Sequence, residues 1–330
     1  MNEIVLGIET SCDDTAVALV DAQGSILSSV VASQLNVHAE FGGVYPEFAA
    51  RAHISAILPA VHEAFKKAHI SPNDIKAIGV TRGPGLIGSL LVGLNTANGL
   101  GMGWRKPVIG INHLRGHLRS ADLEQKRVKY PATILLVSGG HTLLAYMKSN
   151  AEIELLGTTC DDSVGECYDK VGRMLGLGYP GGPVVDRLAK SGTASIPFPR
   201  PVISKGLEFS FSGLKSAVAR YMDANRNALH ENIAASFVQA VMEVLMKKSA
   251  MALKLYPSQS FVIVGGVAAS PQLREEAVKL CQTLDVELCL PPLRWSTDNA
   301  AMIALATFDY LDLSILKKPV ADLHLKINDF

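Results

Sequence analysis

The sequence has no long hydrophobic run and no basic targeting segment at its start. Nearly half of its 330 residues are hydrophobic, yet no uninterrupted apolar run reaches the roughly 18 residues that a membrane span needs. The opening residues, MNEIVLGIETSCDD, carry acidic side chains where a targeting segment would carry Arg or Lys. These absences predict a cytoplasmic protein that does not enter a membrane.

The sequence also lacks an excess of charge and a closely spaced cysteine pair. It carries 31 basic and 31 acidic residues, so its formal net charge is zero. A neutral chain does not coat nucleic acid indiscriminately, and any RNA would have to meet a local basic patch or a second protein. The five cysteines form no C-x-x-C pair, and an odd number favours reduced thiols. Incidental metal ligation by Cys160 and Cys167 stays open beside ordinary burial.

Two similar strand patterns divide the chain. Apolar runs at residues 3–8 and 16–20 flank ETSCDDT and predict a β-hairpin, and SILSSVVAS predicts a third strand. At residues 132–147, ATILLVSGGHTLLAYM predicts a second hairpin of the same kind. Helices and parallel-type strands follow each hairpin. A chain of this length with two such starts predicts an internally duplicated α/β protein with two lobes and a cleft between them.

Several glycine-rich stretches have more than one explanation. The SGGH turn at residues 138–141 lets backbone N–H groups approach an anion, although a tight hairpin also favours Gly-Gly. With VGGVAAS at residues 264–270 and the polar first turn, it favours a nucleotide-binding site. The GYPGGP loop suits close approach to a ligand. GPGLIGSLLVGL lacks the G-x-G-x-x-G pattern and is assigned to packing or partner contact.

Three polar side chains have ordinary structural interpretations. From spacing alone, Asp169 on a predicted helix is interpreted as one half of an exposed charge pair with Lys170. Ser212 is interpreted as the cap of the helix that follows FSFSG. Asp298 lies at the start of the helix in STDNAAMIALATF, where its ordinary role is also a helix cap.

The segment GINHLRGHLRS places His113 and His117 four residues apart. On a helix this spacing puts both imidazoles on one face, close enough to bind one metal ion. A zinc protease of the H-E-x-x-H type needs glutamate after the first histidine, and Leu114 stands there. Peptide hydrolysis is therefore poorly supported. Two ligands are too few for a tight site, so a third has to come from elsewhere, and a purely structural pair remains the alternative.

Nine stretches occur in the same order in one known family. They are GIETSCDDTAVALV, GGVYPE, RGPGLIGSLLVGL, the His113 and His117 pair, LLVSGGHT, GECYDKVGRMLGLGYPGGP, FSFSGLK, VIVGGVAAS and STDNAAMIA. From residue 4 to about 306 the chain resembles the universal tRNA threonylcarbamoyltransferase family of the bacterial TsaD type. The resemblance implies the duplicated ASKHA fold of actin, Hsp70 and sugar kinases, with two lobes around a nucleotide cleft.

We place the lobe boundary beside the histidine segment. Residues 1–112 form the expected N-terminal lobe, with the C-terminal helix from about residue 305 packing back on it. Residues 113–330 form the expected C-terminal lobe with the metal and adenylate site.

The resemblance also implies an activity and a set of site residues. The activity is transfer of the threonylcarbamoyl group from threonylcarbamoyl-AMP to N6 of the adenosine 3′ to the anticodon, in tRNAs that read ANN codons. The family's metal ligands correspond to His113, His117 and Asp298, and acidic residues needed for activity correspond to Asp13 and Asp14. Its adenylate contacts correspond to Leu136, Val137, Ser138, Gly139, Gly140, Asp169, Gly182, Asp186 and Ser270.

The implied cofactor is one divalent metal ion per subunit, Fe²⁺ in preference to Zn²⁺. ATP or ADP can occupy the same cleft as the threonylcarbamoyl-AMP substrate. The implied partners are tRNA, a TsaB-like paralogue and a TsaE-like ATPase, downstream of a TsaC-type synthetase. Candidate basic residues for tRNA are Arg115, Arg119, Lys126, Arg127, Lys129, Arg200, Lys205 and Lys215.

The chain departs from the family pattern at three positions. Asn112 stands where a second histidine is common, and Arg115 stands where a glutamate is common. Neither change removes a metal ligand. Ser270 replaces the usual asparagine, which shortens a polar side chain at the nucleotide and predicts mildly weaker adenylate binding.

Two other classes of function are compatible with the predicted fold. One is another ASKHA-fold kinase or carbamoyltransferase, and the other is an ATP-binding regulatory scaffold. The histidine pair argues against both, because neither class requires it.

Overall fold

The computed structural model describes residues 3–35, 38, 43–124, 128–201, 206–311 and 318–329. The chain divides into two compact units, the first formed by Met1–Arg127 with Pro291–Phe330 and the second by Val128–Leu290. This division differs from the expected boundary at residue 112. The physical reason is that the helix His113–Arg119 packs against the helix Ala300–Thr307, so both belong to the first unit.

The first unit is built on a five-stranded mixed sheet. Its strands are β1 (Ile4–Glu9), β2 (Asp14–Asp21), β3 (Ile26–Ser33), β4 (Ile75–Gly83) and β5 (Val108–Asn112), in the order β3-β2-β1-β4-β5. Its helices are α1 (Pro46–Ala68), α2 (Ile87–Trp104), α3 (His113–Arg119) and, late in the chain, Ala300–Thr307. The strands β1, β2 and β3 pair antiparallel, while β1, β4 and β5 pair parallel.

The second unit repeats this arrangement. Its strands are β6 (Ala132–Val137), β7 (Thr142–Met147), β8 (Ile153–Thr158), β9 (Ser260–Val264) and β10 (Glu287–Cys289), in the order β8-β7-β6-β9-β10. Its helices are α4 (Val164–Met174), α5 (Gly181–Ala189), α6 (Ser212–Ala224), α7 (His230–Leu255) and α8 (Pro271–Leu284); Ala300–Thr307 is accordingly α9. The hairpin strands again pair antiparallel, and the later strands again pair parallel.

The common strand order confirms the predicted duplicated α/β architecture. Both predicted hairpins are present, as are the predicted strand before α3 and the helix after VGGVAAS. The edge strands β8 and β10 and the long helix α7 were not predicted from the sequence. None of the described helices has the length and apolar character to cross a bilayer.

Helix ends are explained by local chemistry. Helix α1 begins with Pro46, whose missing N–H would have no partner in the first turn, and ends at His69 in the left-handed conformation. Helix α6 has Phe211 as its N-cap, so the cap role predicted for Ser212 is wrong. The Asp161 carboxylate instead accepts hydrogen bonds from the backbone N–H groups of Phe211 and Ser212.

Helix α9 is buried along its whole length beneath the first sheet. All eight of its residues, AAMIALAT, are buried, and it packs against β1, β2 and β4. Glycines on the strands make this approach possible. A Cβ on Gly7 would lie 2.2 Å from the Ala300 carbonyl oxygen, and one on Gly79 would lie 1.9 Å from Thr307 Oγ1. The apolar helix therefore lies directly against the sheet backbone and fixes the position of the residues before it.

We predict that Gly7→Ala destabilises the fold. Its methyl group would meet backbone atoms of α9, which cannot move aside as a flexible side chain could, and overpacking of this kind costs about 1–3 kcal/mol. Urea denaturation of the purified protein measures this free energy of unfolding.

Gly99→Ala is the matched control. Gly99 lies in α2, and a Cβ added there would meet nothing within 4 Å, while alanine is the better helix former by roughly 0.5–1 kcal/mol. Stability should therefore stay equal or rise. Equal stability of the Gly7→Ala variant and the original protein would contradict the packing described above.

Candidate functional site

Helix α3 begins directly after β5 and carries both histidines. The Asn112 side chain caps this helix by accepting a hydrogen bond from the Leu114 N–H at 2.9 Å. His113 is therefore the first helical residue, and His117 lies one turn further along the same face. Their rings meet edge to face, with centroids 4.7 Å apart.

The third predicted ligand reaches the histidines through the packing of α3 on α9. A Cβ on Gly116 would lie 2.7 Å from Ile303 Cδ1, so the glycine lets the two helices come close. Asp298 precedes α9 by two residues. The cap of α9 is Asn299, which accepts a hydrogen bond from Met302 N–H at 2.9 Å, so the cap interpretation of Asp298 is wrong.

The distances among the three side chains fit a metal ion. Asp298 Oδ1 lies 3.0 Å from His117 Nε2 and 3.6 Å from His113 Nε2. Ligands about 2.1 Å from a tetrahedral ion are about 3.4 Å apart, which lies between these two values. The three residues form a candidate metal site whose ligand atoms all lie within 4.8 Å of one another. Two imidazoles and one carboxylate are a donor set that suits iron and zinc.

Glu9 holds His113 from the side opposite Asp298. Its Oε2 lies 2.9 Å from His113 Nδ1 and also accepts a hydrogen bond from Thr81 Oγ1 at 2.6 Å. Its other oxygen accepts from the Ser11 N–H. A carboxylate on Nδ1 fixes the tautomer in which Nε2 can bind a metal, the usual arrangement behind a ligating histidine.

The negative charges of Glu9 and Asp298 stabilise a positive charge on His113. Burial disfavours the imidazolium form of His113, but the carboxylates of Glu9 and Asp298 outweigh it and raise the His113 pKa to about 9. Burial alone would raise the pKa of Glu9, yet the pairing with His113 lowers it. Metal binding at Nε2 of His113 therefore competes with a proton at the same atom.

The acidic first turn lies near the same carboxylate. Ser11 Oγ of this turn lies 3.2 Å from His113 Nδ1. Burial, followed by the Asp13 and Asp298 charges, raises the pKa of the Cys12 thiol. Burial also raises the pKa of Asp14. The buried His53 ring fixes the turn by contacting the Cys12 carbonyl oxygen at 3.0 Å. Asp13 and Asp14 are thus near the candidate ligands without being part of the ligand cluster.

The second hairpin turn belongs to the second unit. The Ser138 N–H donates to the His141 carbonyl, and the His141 N–H donates to Ser138 Oγ. Gly139 and Gly140 are exposed, and a Cβ on either would meet nothing within 4 Å. Leu136 and Val137 are the last buried residues of β6 before this turn. Packing therefore does not explain the two glycines.

Asp169 is bound to the glycine-rich loop rather than to Lys170. Its Oδ1 accepts a hydrogen bond from the Gly181 N–H at 2.7 Å, at the start of α5. Lys170 instead pairs with Asp162 and Glu166, so the expected exposed Asp169–Lys170 pair is wrong. Burial raises the pKa of Asp169, and the N–H groups of Gly181 and Gly182 oppose this.

Asp186 and Ser270 are both buried and lie close together. Burial raises the pKa of Asp186, and the hydroxyl groups of Ser270 and Tyr168 lower it by hydrogen bonding. Ser270 caps α8 by accepting from the Leu273 N–H at 3.5 Å. Serine and asparagine are both good helix caps, so this departure from the family pattern preserves the local structure.

The five candidate basic residues that the structure describes do not form one exposed patch. Arg115 and Arg119 are buried, which removes them from any tRNA surface. Three others are engaged in ion pairs, Lys129 with Glu287, Arg200 with Glu243 and Lys215 with Asp162. Lys126, Arg127 and Lys205 lie outside the described residues.

The fold is that of the ASKHA class. The activator of 2-hydroxyisocaproyl-CoA dehydratase from Clostridium difficile, solved with bound ADPNP, superposes with a TM-score of 0.55 at 15% identity, covering 95% of this chain and 97% of that one. The ROK hexokinase from Thermus thermophilus superposes with a TM-score of 0.50 at 18% identity, covering 94% and 99%. Identities this low establish the fold alone.

Sequence comparison identifies the family within that class. Residues 25–305 match the family TsaD, tRNA N6-adenosine threonylcarbamoyltransferase. The tRNA N6-adenosine threonylcarbamoyltransferase of Thermosipho africanus is 49% identical over 309 residues, which cover 92% of this chain and 93% of the relative. The chain therefore belongs to the TsaD family, whose members are transferases that modify tRNA.

The sequence interpretation did not assign a role to Glu9. It appeared there only as one of several polar groups in the first turn, because nothing in the spacing links residue 9 to residue 113. Strand β1 ends at Glu9 and pairs with β4, and β4 pairs with β5, which leads directly into α3. This strand order brings Glu9 and His113 together. The position of Glu9 as the last residue of β1 was the signal that could have identified it.

We predict that Glu9→Gln weakens metal binding about 10- to 100-fold, the usual effect of losing a carboxylate behind a ligating histidine. A glutamine accepts a hydrogen bond but carries no charge to support the bound cation. Competition titration of the purified protein with Zn²⁺ and a chromophoric chelator measures the affinity.

Asp21→Asn is the control for this change. Asp21 is a buried acid at the far end of the β1–β2 pair, where it accepts from the N–H groups of Gln23 and Ser25. Zinc affinity should be unchanged in this variant. Equal zinc affinities for Glu9→Gln and Asp21→Asn would rule out the supporting role of Glu9.

Proposed function

We propose that this chain transfers the threonylcarbamoyl group of threonylcarbamoyl-AMP to N6 of the adenosine 3′ to the anticodon, in tRNAs that read ANN codons. Family membership supports the reaction class, because a curated relative named for this transfer aligns along nearly the whole chain. The convergence of His113, His117 and Asp298 is the observation that favours a metal-assisted route.

The difficulty of the reaction explains the need for a metal. The lone pair of the adenine amine is delocalised into the ring, so the amine is a poor nucleophile. A divalent ion held by His113, His117 and Asp298 would supply Lewis-acid polarisation of a carbonyl or phosphoryl oxygen. Fe²⁺ and, after it, Zn²⁺ are the proposed occupants, and no glutamate is needed to activate water.

The chain's own residues prepare the site before the substrate arrives. Glu9 orients His113 through Nδ1, and the buried α9 holds Asp298 opposite. The fully buried His117 presents Nε2 to the same carboxylate oxygen. Asp13 or Asp14 then accepts the proton that leaves the amine, or orders the groups around the ligands. The raised pKa of Asp14 makes it a stronger base than an ordinary aspartate.

The second unit supplies the proposed adenylate contacts. The exposed Gly139 and Gly140 offer backbone N–H groups to phosphate without side chains in the way. Asp169 fixes the start of α5, and its remaining oxygen is proposed to accept from a ribose hydroxyl. The proposed contact set also includes Gly182, Asp186 and Ser270, and a Cβ on Gly182 would meet open space. Leu136 and Val137, at the end of β6, complete the set.

We propose that tRNA is held jointly with a TsaB-like paralogue and a TsaE-like ATPase, and that a TsaC-type synthetase supplies the adenylate. The zero net charge supports shared binding, because a chain without a positive excess gains little from the phosphate backbone alone. The same adenylate site is proposed to take ATP or ADP.

Asp298→Ala should reduce formation of the modified nucleoside by at least about 100-fold, because two imidazoles alone hold a metal poorly. The side chain is 31% exposed, so its removal leaves no buried cavity and the protein should stay folded. The assay combines the protein with threonylcarbamoyl-AMP, unmodified tRNA and the two partner proteins, and follows the nucleoside by mass spectrometry.

Asp74→Ala provides the comparison, since Asp74 is an exposed acid of the same unit that bonds Ser71. It should keep full activity. Full activity of Asp298→Ala, or of protein stripped of metal by a chelator, would overturn the proposed metal-assisted transfer.

Gly139→Ala should lower the affinity for an adenylate analogue at least about tenfold, or ~1.4 kcal/mol, without lowering stability. The added methyl meets no protein atom within 4 Å, so only a bound ligand can be displaced by it. Calorimetric titration with a non-hydrolysable analogue and a thermal melt measure the two effects.

Gly103→Ala is the matched control, because its Cβ position is equally open but lies on α2 of the first unit. Its affinity for the analogue should be that of the original protein. Unchanged affinity in Gly139→Ala would argue against a phosphate cradle at this turn.

A further inference from the structure

The C-terminal segment returns to the helix that carries the histidines. Residues 325–328, which we call the tail, follow a stretch that lies along β4. The Asp322 N–H donates to the Arg82 carbonyl at 2.8 Å, and a Cβ on Gly83 would lie 1.8 Å from the Asp322 carbonyl oxygen. Leu325 and Ile327 of the tail are buried. The tail is therefore packed into the first unit although it lies more than 200 residues after α3.

Arg115 is the main connection between the tail and α3. Its Nε donates to the Ile327 carbonyl at 2.9 Å, and Nη2 approaches the Asn328 carbonyl at 3.4 Å. Its Nη1 donates to the hydroxyl of Tyr310, in the turn that follows α9. The guanidinium thus joins the histidine helix, the end of α9 and the tail.

The charge of Arg115 makes this connection obligatory. The side chain is 8% exposed, and within the described part of the chain it forms no ion pair with an acid. A buried cation without a carboxylate needs polar groups fixed around it. Tail carbonyls supply two of its three hydrogen bonds, so the position of Arg115 depends on the tail.

Asn112 forms the second connection. Its Nδ2 donates to the Lys326 carbonyl at 2.7 Å, while its Oδ1 caps α3. One side chain therefore fixes both the start of the helix and the tail. Asn112 and Arg115 stand on either side of His113, and Arg115 lies between the two histidines in sequence.

We infer that Asn112 and Arg115 are positioning residues that use the tail to hold His113 and His117 in metal-binding geometry. This inference rests on the metal site proposed above. Neither residue contacts the metal ligand atoms; each acts through the placement of α3. Both side chains bind the same four-residue tail.

Ligand placement is sensitive to such support. Metal affinity falls when ligand atoms must be brought together at the moment of binding, and loss of supporting groups typically lowers it 10- to 100-fold. The tail should therefore raise metal affinity by reducing the freedom of the first turn of α3. Because coupling between two sites acts equally in both directions, a bound metal should also stabilise the tail.

Two substitutions in the full-length protein test the inference. Arg115→Lys keeps the positive charge and loses the planar fork that reaches three acceptors. Asn112→Ser keeps a good helix cap and loses the donor to Lys326. Titration with Co²⁺ reports both affinity and, through the visible absorption of the bound ion, ligand geometry.

Both variants should bind Co²⁺ about 10- to 100-fold more weakly than the original protein and show a weaker or shifted visible band. Ile57→Ala is the control for lost stability, because Ile57 is a buried residue of α1 on the other face of the sheet. It should lower the melting temperature without changing Co²⁺ affinity or the band. Original affinity and band in both tail variants would overturn the inference; if Arg115→Lys does not fold, Asn112→Ser decides alone.

A second measurement separates this inference from the proposed metal site. Hydrogen exchange of the peptide that contains residues 325–328 should slow when Zn²⁺ is added to the original protein and should not slow in Asp298→Ala. If the original protein binds no metal, or Asp298→Ala binds it equally well, the metal site itself is wrong. If metal binds through Asp298 but tail exchange is unaffected, only the positioning role of the tail is wrong.

Discussion

Burial of helix α9 against the first sheet is the constraint on which the candidate metal site depends. The helix has no polar face, so its hydrophobic side chains place it in the interior at a fixed depth. Gly7 and Gly79 allow it to lie against the strand backbone, and Gly116 allows α3 to lie against it. Asp298, two residues before this helix, consequently meets two histidines from a segment about 180 residues earlier.

Glu9 joins this packing to the chemistry of the site. Three groups converge on its carboxylate, from Ser11, Thr81 and His113, so β1, β4 and α3 share one buried charge. The Coulombic attraction between Glu9 and His113 outweighs the cost of burying them, as the directions of their pKa shifts indicate. The second unit shows a comparable double use, since Asp169 and Ser270 serve the ends of α5 and α8 as well as the proposed adenylate contacts.

Much of the architecture could be predicted from the sequence. Alternating apolar strands and short polar turns identify both hairpins, and the histidine spacing identifies one face of α3. The edge strands β8 and β10 were not predicted. β10 has only three residues, and β8, although as long as β6 and β7, is largely exposed and lacks a clear apolar alternation. The division differs from the expected lobe boundary because α3 packs on α9 and so belongs to the first unit. A return of the chain to this unit was expected from about residue 305, whereas the first unit takes up the chain again at Pro291.

The candidate site, like the architecture, could be predicted only in part. The residue types and the resemblance pointed to His113, His117 and Asp298, whereas the contacts of Glu9 with His113 and of Arg115 with the tail join residues distant in sequence. Spacing also misjudged Asp169, whose hydrogen-bond partner Gly181 lies beyond the end of its own helix. It misjudged the caps at Ser212 and Asp298, because capping depends on backbone angles that the sequence does not display. Spacing thus identified the main elements and the candidate ligands, but not the partners of individual polar side chains.

X-ray anomalous scattering tests the proposed metal site most directly. Crystals of the full-length protein, isolated with its native metal and measured on both sides of the metal's absorption edge, locate the ion independently of activity. We predict one strong anomalous peak about 2.1 Å from His113 Nε2, from His117 Nε2 and from a carboxylate oxygen of Asp298. A metal peak bound by other residues, with these three side chains free of it, would contradict the account.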